Sequence, residues 1–76
     1  MKNNKFGKTI RKLRKEKRLT QKEVADYVDI NVTYLSKIEN GKLPPPANDK
    51  INKIAEILDV DKDYLITEAN KVPEDI

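Results

Sequence analysis

The chain is 76 residues long, 38% of them charged, with a formal net charge of +3 and neither cysteine nor histidine. That excludes a disulfide framework, a thiolate zinc site and histidine acid–base chemistry, and the length holds it to one small domain whose core is marginal unless short helices pack closely or a second copy adds to it. No apolar run nears the ~18 residues of a membrane span and the lysine-rich start lacks the apolar stretch of an export signal, so a cytoplasmic protein with no membrane, metal or other cofactor is expected.

Apolar residues recur three and four positions apart and no window alternates with period two, which predicts an all-α chain. A first helix is expected over 6–18, capped by Asn3 or Asn4, with Phe6, Ile10 and Leu13 on one face and Lys8, Arg11, Lys12, Lys15 and Arg18 over the rest. Thr20 and Glu23 form a T-x-x-E capping box that opens a second helix, in which Val24 and Val28 face inward and the small Ala25 lets another helix approach. The turn is Asp29-Ile30-Asn31. Asn31 is a good N-cap for a third helix over 32–40, with Leu35 and Ile38 inward and Gly41 in the left-handed position that ends it.

Residues 42–46 form a stiff connector, because Pro44, Pro45 and Pro46 cannot continue a helix. Asn48 is then expected to cap a fourth helix over about 49–58, with Ile51, Ile54, Ala55 and Leu58 inward. Asp61 opens a fifth that carries Tyr64 and Leu65 and extends toward Asn70, and 71–76 read as a C-terminal tail. Asp59, Asp61 and Asp63 lack the glycine and terminal glutamate of a calcium loop, so they read as capping groups and a solvated turn.

Residues 20–39 carry the functional signal. Two short helices are joined by a three-residue turn, with apolar residues at Val24, Val28, Ile30, Leu35 and Ile38 and a small residue at Ala25. That spacing locks the helices at a steep angle and leaves the outer face of the second one free. Charge is unevenly spread: residues 1–42 hold twelve Lys or Arg against five acids, net +7, and residues 43–76 hold four Lys against eight acids, net −4. The first part therefore suits a polyanionic partner, although a solvated lysine surface gives the same count. No nucleophile–base pair is recognisable, so an enzyme is not expected.

The segment LTQKEVADYVDINVTYLSKIENGK resembles the helix-turn-helix of the phage repressor and Cro-like regulators, the XRE family. The likeness extends to IRKLRKEKRL before it and to INKIAEILDVDKDYLI beyond the prolines. It implies a compact five-helix bundle of the lambda-repressor-like DNA-binding type over 1–70, with the helix-turn-helix at 20–39. The implied function is a sequence-specific double-stranded DNA-binding transcriptional regulator, a repressor in the simplest case, acting as a homodimer on a palindromic operator. By position, Asn31, Val32, Thr33 and Lys37 would face the bases, and Gln21, Asn40 and Lys42 would contact phosphate. Arg11, in the basic run of the first helix, joins the phosphate set, and Arg14 and Glu39 match an ion pair that ties the first helix to the third.

The outward face lacks Arg and Gln, the bidentate readers, so modest direct specificity is expected, with some drawn from DNA shape. The chain departs from the family at Asp29, where glycine is usual and a left-handed backbone is needed. Val72, Pro73 and Ile76 suggest a dimer contact or packing on the same chain. The alternative function is a protein-interaction module or antitoxin-like regulator, docking a protein partner through the C-terminal part with Tyr64, Leu65, Val72 and Ile76.

Overall fold

A computed structural model describes residues 5–70, so the expected caps Asn3 and Asn4 and the tail 71–76, with Val72, Pro73 and Ile76, lie outside the described residues. Five helices follow one another: α1 Phe6–Glu16, α2 Gln21–Val28, α3 Val32–Glu39, α4 Asn48–Leu58 and α5 Lys62–Asn70. None of them is long and apolar enough to cross a membrane.

The starts follow local chemistry. At α2 the Thr20 hydroxyl accepts from the Glu23 N–H at 3.0 Å while the Glu23 carboxylate accepts from the Thr20 N–H at 2.7 Å, completing the capping box. Asn31 Oδ1 accepts from the Thr33 N–H at 2.7 Å and opens α3, and Asp61 Oδ1 accepts from the Asp63 N–H at 2.9 Å and opens α5. Two expected starts are corrected. Asn48 lies inside α4 rather than capping it, and the cap position is Ala47, extended after the prolines and with no side-chain bond. Lys5 holds the cap position of α1, also without a side-chain bond.

The ends of α1 to α4 share one device. Arg18, Asp29, Gly41 and Asp59 all have left-handed backbones, with φ of 58°, 64°, 76° and 58°. After each, the next N–H reaches back to a carbonyl five residues earlier: Leu19 to Arg14, Ile30 to Ala25, Lys42 to Lys37 and Val60 to Ala55, at 2.8–3.0 Å. This is the Schellman closure, which satisfies carbonyls that a helix end leaves orphaned. It corrects α1, which stops at Glu16 instead of running to Arg18, and α3, which stops at Glu39 with Asn40 as its cap. At Asp29, where a left-handed residue is expected, the structure has one. Leu19, Ile30 and Val60, the residues after the left-handed ones, pack against the core as partly buried side chains, so each turn is held by apolar contact as well as hydrogen bonds.

The core is built from the faces that the periodicity selects. Phe6 and Ile10 of α1, Val24, Ala25 and Val28 of α2, Leu35 and Ile38 of α3, Ile51, Ile54, Ala55 and Leu58 of α4 and Leu65 of α5 are all buried. Each larger one contributes about 1.5–3 kcal/mol relative to exposure. Leu13 is only partly buried, and Tyr64 stays half exposed. α2 packs on both α3 and α4, α1 on α3 and α5, and α4 on α5, so α3 is braced chiefly by α1 and α2. Gly7 makes the α1–α3 approach possible: a Cβ there would overlap the Ile38 carbonyl oxygen and stand 2.9 Å from that of Glu39.

Candidate nucleic-acid interface

α3 divides into two faces. Leu35, Ile38 and Glu39 are buried against the bundle, while Val32, Thr33, Lys37 and the cap residue Asn40 are exposed. Thr33 and Lys37 are one turn apart and therefore share a face, as do Val32, Ser36 and Asn40 on the neighbouring row. Val32 is 40% exposed, a large apolar side chain at the very start of the helix. Asn31 is exposed too, but its carbonyl oxygen is taken by the Thr33 N–H, which leaves its amide N–H groups as the end able to contact a ligand.

The phosphate candidates flank this helix. Lys42 is exposed just beyond the α3 terminus, where its backbone N–H closes on Lys37 O at 2.8 Å, so its main chain is held while its ammonium is free to reach. Asn40 Nδ2 makes a long 3.4 Å bond to Ser36 Oγ. Gln21, the first residue of α2, is half-buried. Arg11 is exposed on α1, directly after the buried Ile10, and thus on another element from the rest.

Behind the face lies a polar brace. Arg14 Nε and Nη2 donate to the two oxygens of Glu39 at 2.8 and 3.0 Å, a bidentate pair, and Arg14 Nη1 donates to Leu19 O at 2.9 Å. Both residues are buried, at 8% and 3% exposure, unlike the surface pairs Lys22–Asp26 and Lys17–Asp59. A fixed fork at this depth ties the last turn of α3 to α1 and to the turn that precedes α2. Glu39 Oε1 also accepts from Gln21 Nε2 at 3.0 Å, a contact that sequence reasoning missed. The capping box opening at Thr20 places Gln21 at the helix start, but nothing local points its side chain toward a residue 18 positions away.

A second interhelical set lies away from α3. Tyr27 Oη donates to Glu56 Oε1 at 3.0 Å, and that hydrogen bond, reinforced by the carboxylate charge, raises the phenol above its usual value of 10.0. Lys50 Nζ donates to Val28 O at 3.3 Å, so α4 supplies a cation at the C-terminal end of α2.

Residues 7–71 match the model of the helix-turn-helix domain family. The chain is 36% identical over 69 residues to the HTH-type transcriptional repressor RghR of Bacillus subtilis, covering 91% of this chain and 51% of that protein. It is 39% identical over 71 residues to the ImmF control region 10 kDa protein of Bacillus phage phi105, covering 92% and 78%. Among solved structures, it is similar to the master regulator for biofilm formation SinR of Bacillus subtilis in complex with DNA, with a TM-score of 0.73 and 31% identity over 80% of this chain and 97% of that one. The chain thus spans about half the length of RghR and most of the phage protein.

Proposed function

The chain belongs to the helix-turn-helix domain family of phage repressor and Cro-like regulators, and from that premise we propose that it is a sequence-specific double-stranded DNA-binding transcriptional regulator, a repressor, that lays α3 in the major groove. The observation that carries the reading is the two-sided character of α3: one face buried in the bundle, the other open along Val32, Thr33 and Lys37. Eight residues at a rise of ~1.5 Å make a rod of about 12 Å, suited to the major groove. Thr33 can donate or accept a hydrogen bond and offer its methyl to thymine. Val32 offers apolar contact only. Lys37 reaches guanine acceptors, and the Asn31 amide donates at the base edge or sugar.

Lys42, Asn40 and Gln21 set the register on phosphate, and Arg11 adds longer-range attraction. The surplus of basic residues in 1–42 fits that role, and the acidic remainder keeps the rest of the bundle off the duplex. Two copies on a near-palindromic site would put their recognition helices about 34 Å apart. Such a protein works in the cytoplasm, where the DNA is.

Binding to duplexes selected from a random-sequence library, measured across salt concentrations, tests the reading. Only the cations among the phosphate contacts release counterions, so Lys42 and Arg11 predict that log K falls with log salt at a slope of about −2 per subunit. A flat response, or a selection that enriches no sequence, refutes it. Sedimentation of the protein with its selected duplex reads the stoichiometry, and one copy per site would remove the dimer.

A further inference from the structure

We propose that Glu39, besides bracing α3, decides which way the Gln21 amide faces, and so presents a donor rather than an acceptor to a DNA phosphate at the start of α2. The inference rests on the reading of Gln21 as a phosphate contact and deepens it.

A glutamine amide has a donor end and an acceptor end of nearly equal size, and a half-turn about its last torsion exchanges them. On an exposed side chain both orientations are populated. A phosphate oxygen only accepts, so one orientation binds it and the other repels it. At Gln21 the choice is made by chemistry behind the side chain. Glu39 Oε1 accepts from Gln21 Nε2 at 3.0 Å, and a carboxylate oxygen has nothing to donate. A flipped amide would set its carbonyl oxygen against that of Glu39. The nitrogen spends one N–H on Glu39 and keeps a second. The first turn of α2 adds the backbone N–H groups of Gln21 and Lys22, for which the helix offers no acceptor one turn back.

Arg14 makes a carboxylate tolerable so near a phosphate. Its guanidinium holds Glu39 through two hydrogen bonds, of 2.8 and 3.0 Å, so the pair carries no net charge toward the DNA. Glu39 is therefore a positioning residue. It acts through Gln21, and the same carboxylate that anchors the recognition helix aligns the phosphate contact of the helix before it.

The test is a double-mutant cycle on a library-selected duplex, using the full chain. Gln21→Ala should weaken binding roughly tenfold in the parent protein, with the salt slope unchanged, because a neutral amide releases no counterion. In an Arg14→Met/Glu39→Leu background, which removes the buried charges together and leaves apolar volume, the same Gln21→Ala change should cost under about twofold. An equal cost in both backgrounds overturns the positioning role. No cost in the parent protein overturns instead the phosphate contact on which the role depends, while salt-dependent binding itself stands. A second measurement needs no altered background: the side-chain amide protons of Gln21 in the free parent protein should exchange with solvent more slowly than those of the exposed Asn48. Equal exchange rates overturn the proposal.

Discussion

Replacing Glu39 with alanine removes the carboxylate that pairs with the buried Arg14 guanidinium. The Arg14 side chain is 10% exposed and that of Glu39 only 1%, so the pair sits beyond most solvent screening. The change deletes bonds of 2.8 and 3.0 Å to Arg14 and one of 3.0 Å from Gln21, and among the described residues leaves Arg14 its bond to Leu19 O. Breaking a buried pair by removing one partner costs about 3–5 kcal/mol, mostly because the remaining charge is stranded. A chain of this length has a total stability of about 4–11 kcal/mol, so the loss is at least about a quarter of it and, for a chain at the low end, most or all of it. Urea denaturation followed by helical circular dichroism should show the midpoint falling with the slope unchanged, and thermal melting should drop by at least ~12 °C. Lys22→Ala is the control. It breaks a pair whose side chains are 76% and 66% exposed, and should cost under about 0.5 kcal/mol. Arg14→Met/Glu39→Leu should recover stability to within about 1 kcal/mol of the parent. A loss below about 1 kcal/mol for Glu39→Ala would refute the reasoning, since the guanidinium would then be finding water that its burial denies.

Gly7→Ala should destabilise by about 1–3 kcal/mol in the same denaturation assay, because the new methyl meets the rigid Ile38 and Glu39 carbonyls and α1 must move off α3. Asp29→Gly should stabilise by about 0.5–1 kcal/mol, since φ of 64° strains any side chain but not glycine, and DNA binding should be unaffected. The Tyr27–Glu56 bond holds while the phenol is protonated, so its contribution is complete below pH 10.0 and is lost as pH rises through the raised native value; melting curves in alkaline buffer should show this loss in the parent and its absence in Tyr27→Phe. On selected duplexes, Lys42→Ala should weaken all sequences alike and lower the salt slope by about one, whereas Thr33→Ala should relax preference at one base position at a cost of about 1–3 kcal/mol.

Much of this was legible without coordinates, and the reason is range. The Thr20–Glu23 box, the Asn31 cap and the left-handed Asp29 and Gly41 depend on bonds between residues two to five apart, which the order of side chains specifies directly. The buried faces of α1 to α4 follow from spacing in the same way, and the pattern of 20–39 carried the family resemblance. What only the tertiary structure decided lies where elements meet. Arg18 adopts a left-handed backbone that its type does not favour, because Leu19 must turn inward to pack on the core. Asn48 loses its expected capping role to Ala47, which arrives extended from the proline connector. Gly7 matters through carbonyls on α3, and Gln21 through a carboxylate at that helix's far end. No local rule reaches those contacts, since they depend on how closely and at what angle the helices cross.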